Sequence, residues 1–304
     1  MKENFTNIFD LPKNTSYLFN KEKVSNIIKE FLLDLKNNIY NIEQNLSKDA
    51  INGNVKLQAN TIVSAIQYNN DKILIDFSPS KIVDGIGNIA VVYNGNPLIT
   101  LKLILLGLRT HNQMYLISNN YSNTNNFLIS LLEKHLENNQ YEKHIFKILD
   151  LTQSEIFKYQ ENFDTLLFIG DKDEYVSITP HIRIPMIFKN YGSIYIFVDN
   201  NLDKNLKDCL LEIDHFAFDN DININYIELS QKNNKLLEQL NYYGLNQTIA
   251  IFTNHIQNIY SILNDLKCNK IFINSNPFKQ DLLQFNENDF VFTKEIIINS
   301  KSGH

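Results

Sequence analysis

The stretch GNIAVVYNGNPLITLKLILLGLRTHNQMYLIS, residues 87–118, decides how this chain is read. It opens on a short apolar run, NIAVV, that stops at the turn-forming residues Asn94, Gly95, Asn96 and Pro97. Residues 98–108 are then apolar at helical spacing, and MYLIS (114–118) is a second short apolar run. Strand, turn, helix and strand in that order make a βαβ unit. Strands that are apolar throughout belong to a parallel sheet covered on both faces.

The same rhythm continues on the C-terminal side. A helix is expected over 125–136, a strand at HIFKILDL (144–151), a short helix at 153–159, and strands at DTLLFIG (164–170) and SIYIFVD (193–199). Beyond Asp199 the helical stripe Leu202, Leu206, Cys209, Leu210 and Ile213 leads to a strand at ININYIEL (222–229). A helix ending at Gly244, a strand at QTIAIFT (247–253), a helix over 256–266 and a strand at KIFIN (270–274) follow. On the N-terminal side Val24, Ile27, Ile28, Phe31, Leu32, Leu35, Ile39 and Ile42 form one apolar stripe, read as a single helix over 24–46. A further helix is expected over 55–66 and a strand at KILIDF (72–77). The second α/β unit is placed from Pro185, which gives an N-terminal unit of residues 1–184 and a C-terminal unit of 185–304. Open parallel sheets take ligands beyond the carboxyl ends of their strands, so YNGNP, SNNYSN, GDKDE and VDNN are the loops of interest.

Composition narrows the function classes. A net charge of −6 gives no diffuse attraction to phosphate backbones or anionic lipid, so neither nucleic acid nor a membrane is an expected partner. Cys209 and Cys268 lie far apart and in no CxxC pair, which argues for a reducing, cytoplasmic setting and against a thiolate metal site. The start, MKENFTNIFDLPKN, lacks the apolar core of a signal peptide, and no uninterrupted apolar stretch is long enough to span a bilayer. His144, His181, His215 and His255 fall on different expected elements without HxxxH or HExxH spacing, so no metal site is expected. No Walker loop and no G-x-S-x-G elbow are present.

In order and spacing, the segments from Gly87 to His304 resemble the aldehyde dehydrogenase superfamily, especially its gamma-glutamyl phosphate reductase (glutamate-5-semialdehyde dehydrogenase) branch. That branch runs approximately G-V-I-G-V-I-Y-E-A-R-P-N-V-T, and Tyr93, Pro97, Thr100 and Asn112 fall in step with it and its following helix. IPMIFKNYGSIYIFVDNNLDKNL is similar to its P-V-I…G…H-I-Y-V-D…A-D-L segment through Pro185, Gly192, Val198, Asp199, Leu202 and Asp203. QTIAIFTNHIQNIYSILNDLKCNKIFINSNPF and EIIINSKSGH resemble its later segments. The resemblance implies an α/β fold of two Rossmann-like parallel-sheet units, one for a cofactor and one for catalysis. It implies NADP or NAD as cofactor, and a cysteine nucleophile whose thiohemiacetal releases hydride.

The departures from the family pattern lie at its working positions. Counted back from INYIEL, the nucleophile falls near Asp221, and a carboxylate is a far poorer nucleophile toward an aldehyde. Cys209 sits on the apolar stripe of its helix and reads as core; Cys268 lies in a turn between helix and strand. The acid that many members carry is replaced by Phe188. The oxyanion-binding turn falls near Gly95, where Asn94 and Asn96 offer side-chain donors. The R-G-G after the second strand is replaced by Ser118, Asn119 and Asn120, and the later glycine pair is Gly170-Asp171. Asn96, Ser118, Asn119, Gly170 and Asp171 are therefore the candidate cofactor-binding positions, although Asp171, Asp173 and Glu174 would repel a pyrophosphate. The expectation is a degenerate relative that binds a ligand or a partner without catalysis, assembled as a homo-oligomer or with an active paralogue. The alternative is a divergent NADP-dependent semialdehyde or acyl-phosphate oxidoreductase.

Overall fold

The computed structural model describes residues 21–49, 55–64, 76–78, 81–118, 120–141, 145–190, 193–219, 223–231, 237–238, 240–241, 248–255, 257–268, 270–277 and 287–295. The N-terminal apolar stripe is carried by two helices, α1 (Lys21–Asn37) and α2 (Ile39–Lys48), rather than one. At the break, the Asn38 side chain donates to the Asp34 carbonyl at 2.8 Å and carboxylate at 3.0 Å. This is the local competition with backbone bonding that makes Asn a poor helix-interior residue. The stripe stays in phase across the break, so Ile42 and Leu46 are as buried as Phe31 and Leu35. Helix α3 (Val55–Ser64) follows.

Strands β1 (Asp76–Ser78) and β2 (Lys81–Gly85) form an antiparallel hairpin. Then comes β3 (Asn88–Val92), helix α4 (Pro97–Thr110), β4 (Gln113–Ile117), helix α5 (Ser122–Asn138) and β5 (Phe146–Leu149). Helix α6 (Gln153–Tyr159), β6 (Thr165–Gly170), helix α7 (Lys172–Ile178) and β7 (Met186–Asn190) complete a five-stranded parallel sheet in the order β5-β4-β3-β6-β7. Its inner strands are buried on both faces, as their continuous apolar runs require. One face packs on α1–α5 in the largest core cluster; the other, with Tyr115, Phe163 and Phe168, packs beneath α6 and α7. Helix α4 is apolar nearly all round and correspondingly buried. Its Gly107 lies so near Phe146 and Met114 that a Cβ would meet the Phe146 ring at 2.7 Å.

The second sheet is also parallel. It contains β8 (Ser193–Val198), β9 (Asn223–Glu228), β10 (Thr248–Phe252) and β11 (Lys270–Ile273) in the order β11-β10-β8-β9. Helices α8 (Lys204–Asp219) and α9 (Gln257–Leu263) belong to this unit. Apolar clusters around Ile196, Ile213 and Phe252 on one side and Phe197, Ile251 and Ile259 on the other cover it. The sequence places the start of the second unit at Pro185. The strand after Pro185 is instead β7, paired to β6 in the first sheet, so the change of sheet comes after Asn190.

A third sheet ties the last described strand back to the hairpin that precedes the first parallel sheet. β12 (Val291–Glu295) pairs antiparallel with β2, giving the order β1-β2-β12. The 3-10 turn before it, Glu287–Phe290, places Phe290 fully inside the largest core cluster. The Asn112 side chain donates to the Phe290 carbonyl at 2.7 Å and accepts from the Gly87 amide at 2.9 Å. Arg109, almost buried on α4, pairs with Glu287 at 3.2 Å.

β7 ends at the carboxyl edge of the first sheet, and β8 begins at the amino edge of the second. The Cα atoms of Asn190 and Ser193 can be at most about 11 Å apart. The carboxyl end of β7 therefore lies near the amino end of β8, and the site is sought at this junction and along the carboxyl edge of the five-stranded sheet.

Candidate functional site

The turn between β3 and α4 stands at the carboxyl edge of the five-stranded sheet. Strand order reverses between β3 and β6, which makes their carboxyl ends the topological switch point where open α/β sheets hold ligands. The turn is built from side-chain hydrogen bonds. Asn94 Oδ1 accepts from the Asn96 amide at 3.1 Å, and Asn96 Oδ1 caps α4 by accepting from the Leu98 amide at 2.9 Å, with Pro97 at the first helical position. Gly95, at φ 86°, is the residue that permits the turn: a Cβ would collide with Ser118 Oγ and the Asn120 carbonyl. Asn120 reaches back to the Asn94 carbonyl at 3.2 Å and takes Ser118 Oγ on its amide at 3.2 Å.

Behind the turn runs a buried chain of hydroxyls and amides. Thr100 Oγ1 donates to Asn125 Oδ1 at 2.8 Å, and Asn125 Nδ2 donates to the Gly95 carbonyl at 2.7 Å. With its one hydrogen so used, Thr100 accepts from the Tyr93 hydroxyl at 2.7 Å. Burial pushes the Tyr93 hydroxyl up, so it remains a neutral donor. Tyr93 and Thr100, which fall in step with the family pattern, thus hold the turn in shape.

The candidate positions come together only in part. Asn96 and Ser118 meet across Gly95, whereas Gly170 and Asp171 stand at the end of β6, on the other side of β3; Asn119 lies outside the described residues. Asp171 is the N-cap of α7, and Asp173 and Glu174 fill its first turn, all three exposed. Phe188 on β7 is stacked on Tyr175 of α7 at 4.5 Å between centroids, with the Phe168 ring 6.3 Å away. Where the resemblance implies an acid, the protein has a three-ring cluster that joins β6, β7 and α7.

One residue at this edge is invisible to the sequence patterns. Asp49, at the C-terminal end of α2, accepts from the Asn123 and Thr124 amides at 2.9 and 3.0 Å and from the Thr124 hydroxyl at 2.6 Å. It caps α5 from another helix. At α6 the Glu155 carboxylate closes a capping box, accepting from the Thr152 amide at 2.9 Å and hydroxyl at 2.7 Å. The spacing T-x-x-E could have found that pair; a cap from a distant helix leaves no such spacing.

On the other side of the junction, Asn223 opens β9 in register with Ser193. Asp221, the position of the family nucleophile, lies outside the described residues, between α8 and this strand. Cys209 is part-buried on α8 against the cluster of Ile194, Ile196 and Ile213. Cys268 is part-buried just before β11 against Leu266 and its neighbours, and that burial pushes its thiol up, away from thiolate. No group of three or more His, Cys, Asp or Glu side chains that could hold a metal is found among the described residues.

The loop VDNN proves to be remote from this junction. Asp199 ends β8 at the opposite, carboxyl edge of the second sheet, where its carboxylate accepts from the buried Thr253 hydroxyl at 2.8 Å. Asn274, left-handed at φ 49°, accepts from the Thr253 amide at 2.9 Å and donates to its carbonyl at 2.8 Å. This network ties the ends of β8, β10 and β11 together.

Comparison with known proteins bears on the whole arrangement. No family model matches the chain, and no curated protein matches its sequence. Solved structures do. A probable aldehyde dehydrogenase from Listeria monocytogenes is similar at TM-score 0.70 with 8% identity, over 96% of this chain and 93% of that one. The chain has the aldehyde dehydrogenase fold. The glyceraldehyde-3-phosphate dehydrogenase GapN of Methanocaldococcus jannaschii, complexed with NADP, is similar at TM-score 0.66 and 13% identity over 92% of this chain and 90% of that one. The gamma-glutamyl phosphate reductase of Thermotoga maritima is similar at TM-score 0.53 and 12% identity over 84% of each chain. Among the described residues no helix is long and apolar enough to cross a membrane.

Proposed function

We propose that this protein of the aldehyde dehydrogenase fold is non-catalytic and serves as a ligand- or partner-binding protein, having lost thiol-dependent aldehyde oxidation or acyl-phosphate reduction. The observation that carries the reading is the placement of its two cysteines. Both are part-buried in apolar clusters flanking the second sheet, while the position the resemblance gives to the nucleophile is Asp221. Burial pushes the Cys268 thiol up, away from the thiolate that attack on a carbonyl needs. The fold then offers a surface or crevice without the group that would attack a carbonyl. A second copy or an active paralogue is the partner to test, by light scattering of the protein alone and mixed with candidates.

A second reading is favoured by one fact. Cys268 lies beside the start of β11, at the same amino edge of the second sheet as the start of β8. In that reading it serves a divergent NADP-dependent semialdehyde or acyl-phosphate oxidoreductase. Labelling of the native protein with a thiol reagent separates the two. We expect both cysteines to react more slowly than a small free thiol, with no effect of NADPH. Fast labelling of one cysteine, slowed by NADPH, would favour the enzyme.

A further inference from the structure

The fold's relatives include an NADP complex, and this chain's own residues do not fit such a ligand. Four helices, α4 to α7, begin at the carboxyl edge of the five-stranded sheet, and helix N-termini of this kind ordinarily receive phosphate through their free amides. Here three of them are met by the chain's own side-chain oxygens, and the fourth begins among acids. Asn96 takes the Leu98 amide of α4, and Asp49 takes two amides of α5 with a carboxylate in the place a phosphate would fill. Glu155 closes the start of α6 on Thr152. Asp171, Asp173 and Glu174 surround the start of α7 with three carboxylates, against the single ammonium of Lys172.

We infer that this edge excludes phosphate-bearing ligands, nicotinamide dinucleotides among them, because the chain's own carboxylates occupy or surround its helix starts. Ligands that reach the crevice are accordingly uncharged or cationic. The inference concerns the same crevice as the proposed function but not the nucleophile, so the two can fail separately: NADPH binding without a reactive thiol overturns only the first, and a reactive thiol without NADPH binding only the second.

The test is calorimetric titration of NADPH, NADH and inorganic pyrophosphate into the full chain. The comparison is a variant combining Asp171→Asn, Asp173→Asn and Glu174→Gln, with its fold checked by circular dichroism. The unaltered protein is expected to show no saturable binding up to millimolar ligand. The variant is expected to bind pyrophosphate at least about tenfold more tightly, since three like charges have been removed, with the gain shrinking as salt is added. Should the triple variant not fold, Asp171→Asn alone keeps a competent N-cap and carries the same comparison with a smaller gain. Micromolar binding of either dinucleotide by the unaltered protein overturns the inference. So does a folded neutral variant that binds no better than the parent.

Discussion

Single side chains fix the geometry of the junction. Asp49 spans from α2 to the first turn of α5 and satisfies amides that water or a ligand would otherwise meet. Asp49→Ala should therefore lower stability by about 1–2 kcal/mol, the ordinary worth of an N-cap, while Asp49→Asn, which keeps one acceptor, costs less; urea midpoints decide between these. A second carboxylate on the N-terminal helices answers to pH. Burial raises the Asp34 carboxyl, but hydrogen bonds and charge from His135, at 3.0 Å, and Lys134, at 3.3 Å, outweigh it and leave the group below its usual value. Glu30 also faces His135, at 3.7 Å. A carboxyl depressed on folding stabilises the protein above its unfolded value, about 3.9, and the contribution fades as pH falls through the folded one. Unfolding midpoints measured from neutral to acid pH should drop below about pH 4, and Asp34→Asn should flatten that drop.

The elements that close the structure are drawn from segments some two hundred residues apart. β12 completes the small sheet through β2, and the turn before it is held by Arg109, Asn112 and the buried Phe290 ring. Phe290 is wholly enclosed by residues of the N-terminal unit, so Phe290→Ala should cost about 3–5 kcal/mol. The loss should appear as a shift of the main unfolding transition and not as a separate early step, measured by denaturant titration with two probes. This seam shows where sequence reading stops. The alternation of β3, α4, β4 and α5 is written locally, in apolar runs and in the Asn-Gly-Asn-Pro turn. The pairing of Lys81–Gly85 with Val291–Glu295 joins distant segments of five residues each, and no local period announces it. For the same reason the change of sheet after β7 has no local signal. Its residues, Met-Ile-Phe-Lys-Asn, are compatible with either side, and only pairing with β6 decides. The helix break at Asn38 leaves no trace in the hydrophobic pattern, because the apolar stripe continues in phase through it.

Taken whole, the molecule has two parallel sheets, and a third, antiparallel sheet joins β12 to the hairpin that precedes the first of them. The sequence carried enough to expect the two sheets and the loops at their junction. Of the loops it singles out, the turn at Gly95 packs against Ser118, while VDNN lies at the carboxyl edge of the second sheet. What it could not show is how the polar residues are used. Asn96 and Glu155 cap helices, and Thr100 bonds to Asn125, so these side chains are taken up within the chain. A fold that keeps its architecture while its polar groups satisfy each other, and its thiols are part-buried among apolar side chains, can bind without reacting. Peptide mapping by mass spectrometry after brief incubation of the native protein with thiol-selective iodoacetamide at neutral pH tests this most directly. Cys209 and Cys268 left largely unlabelled is the expected result; rapid stoichiometric labelling of either would contradict it.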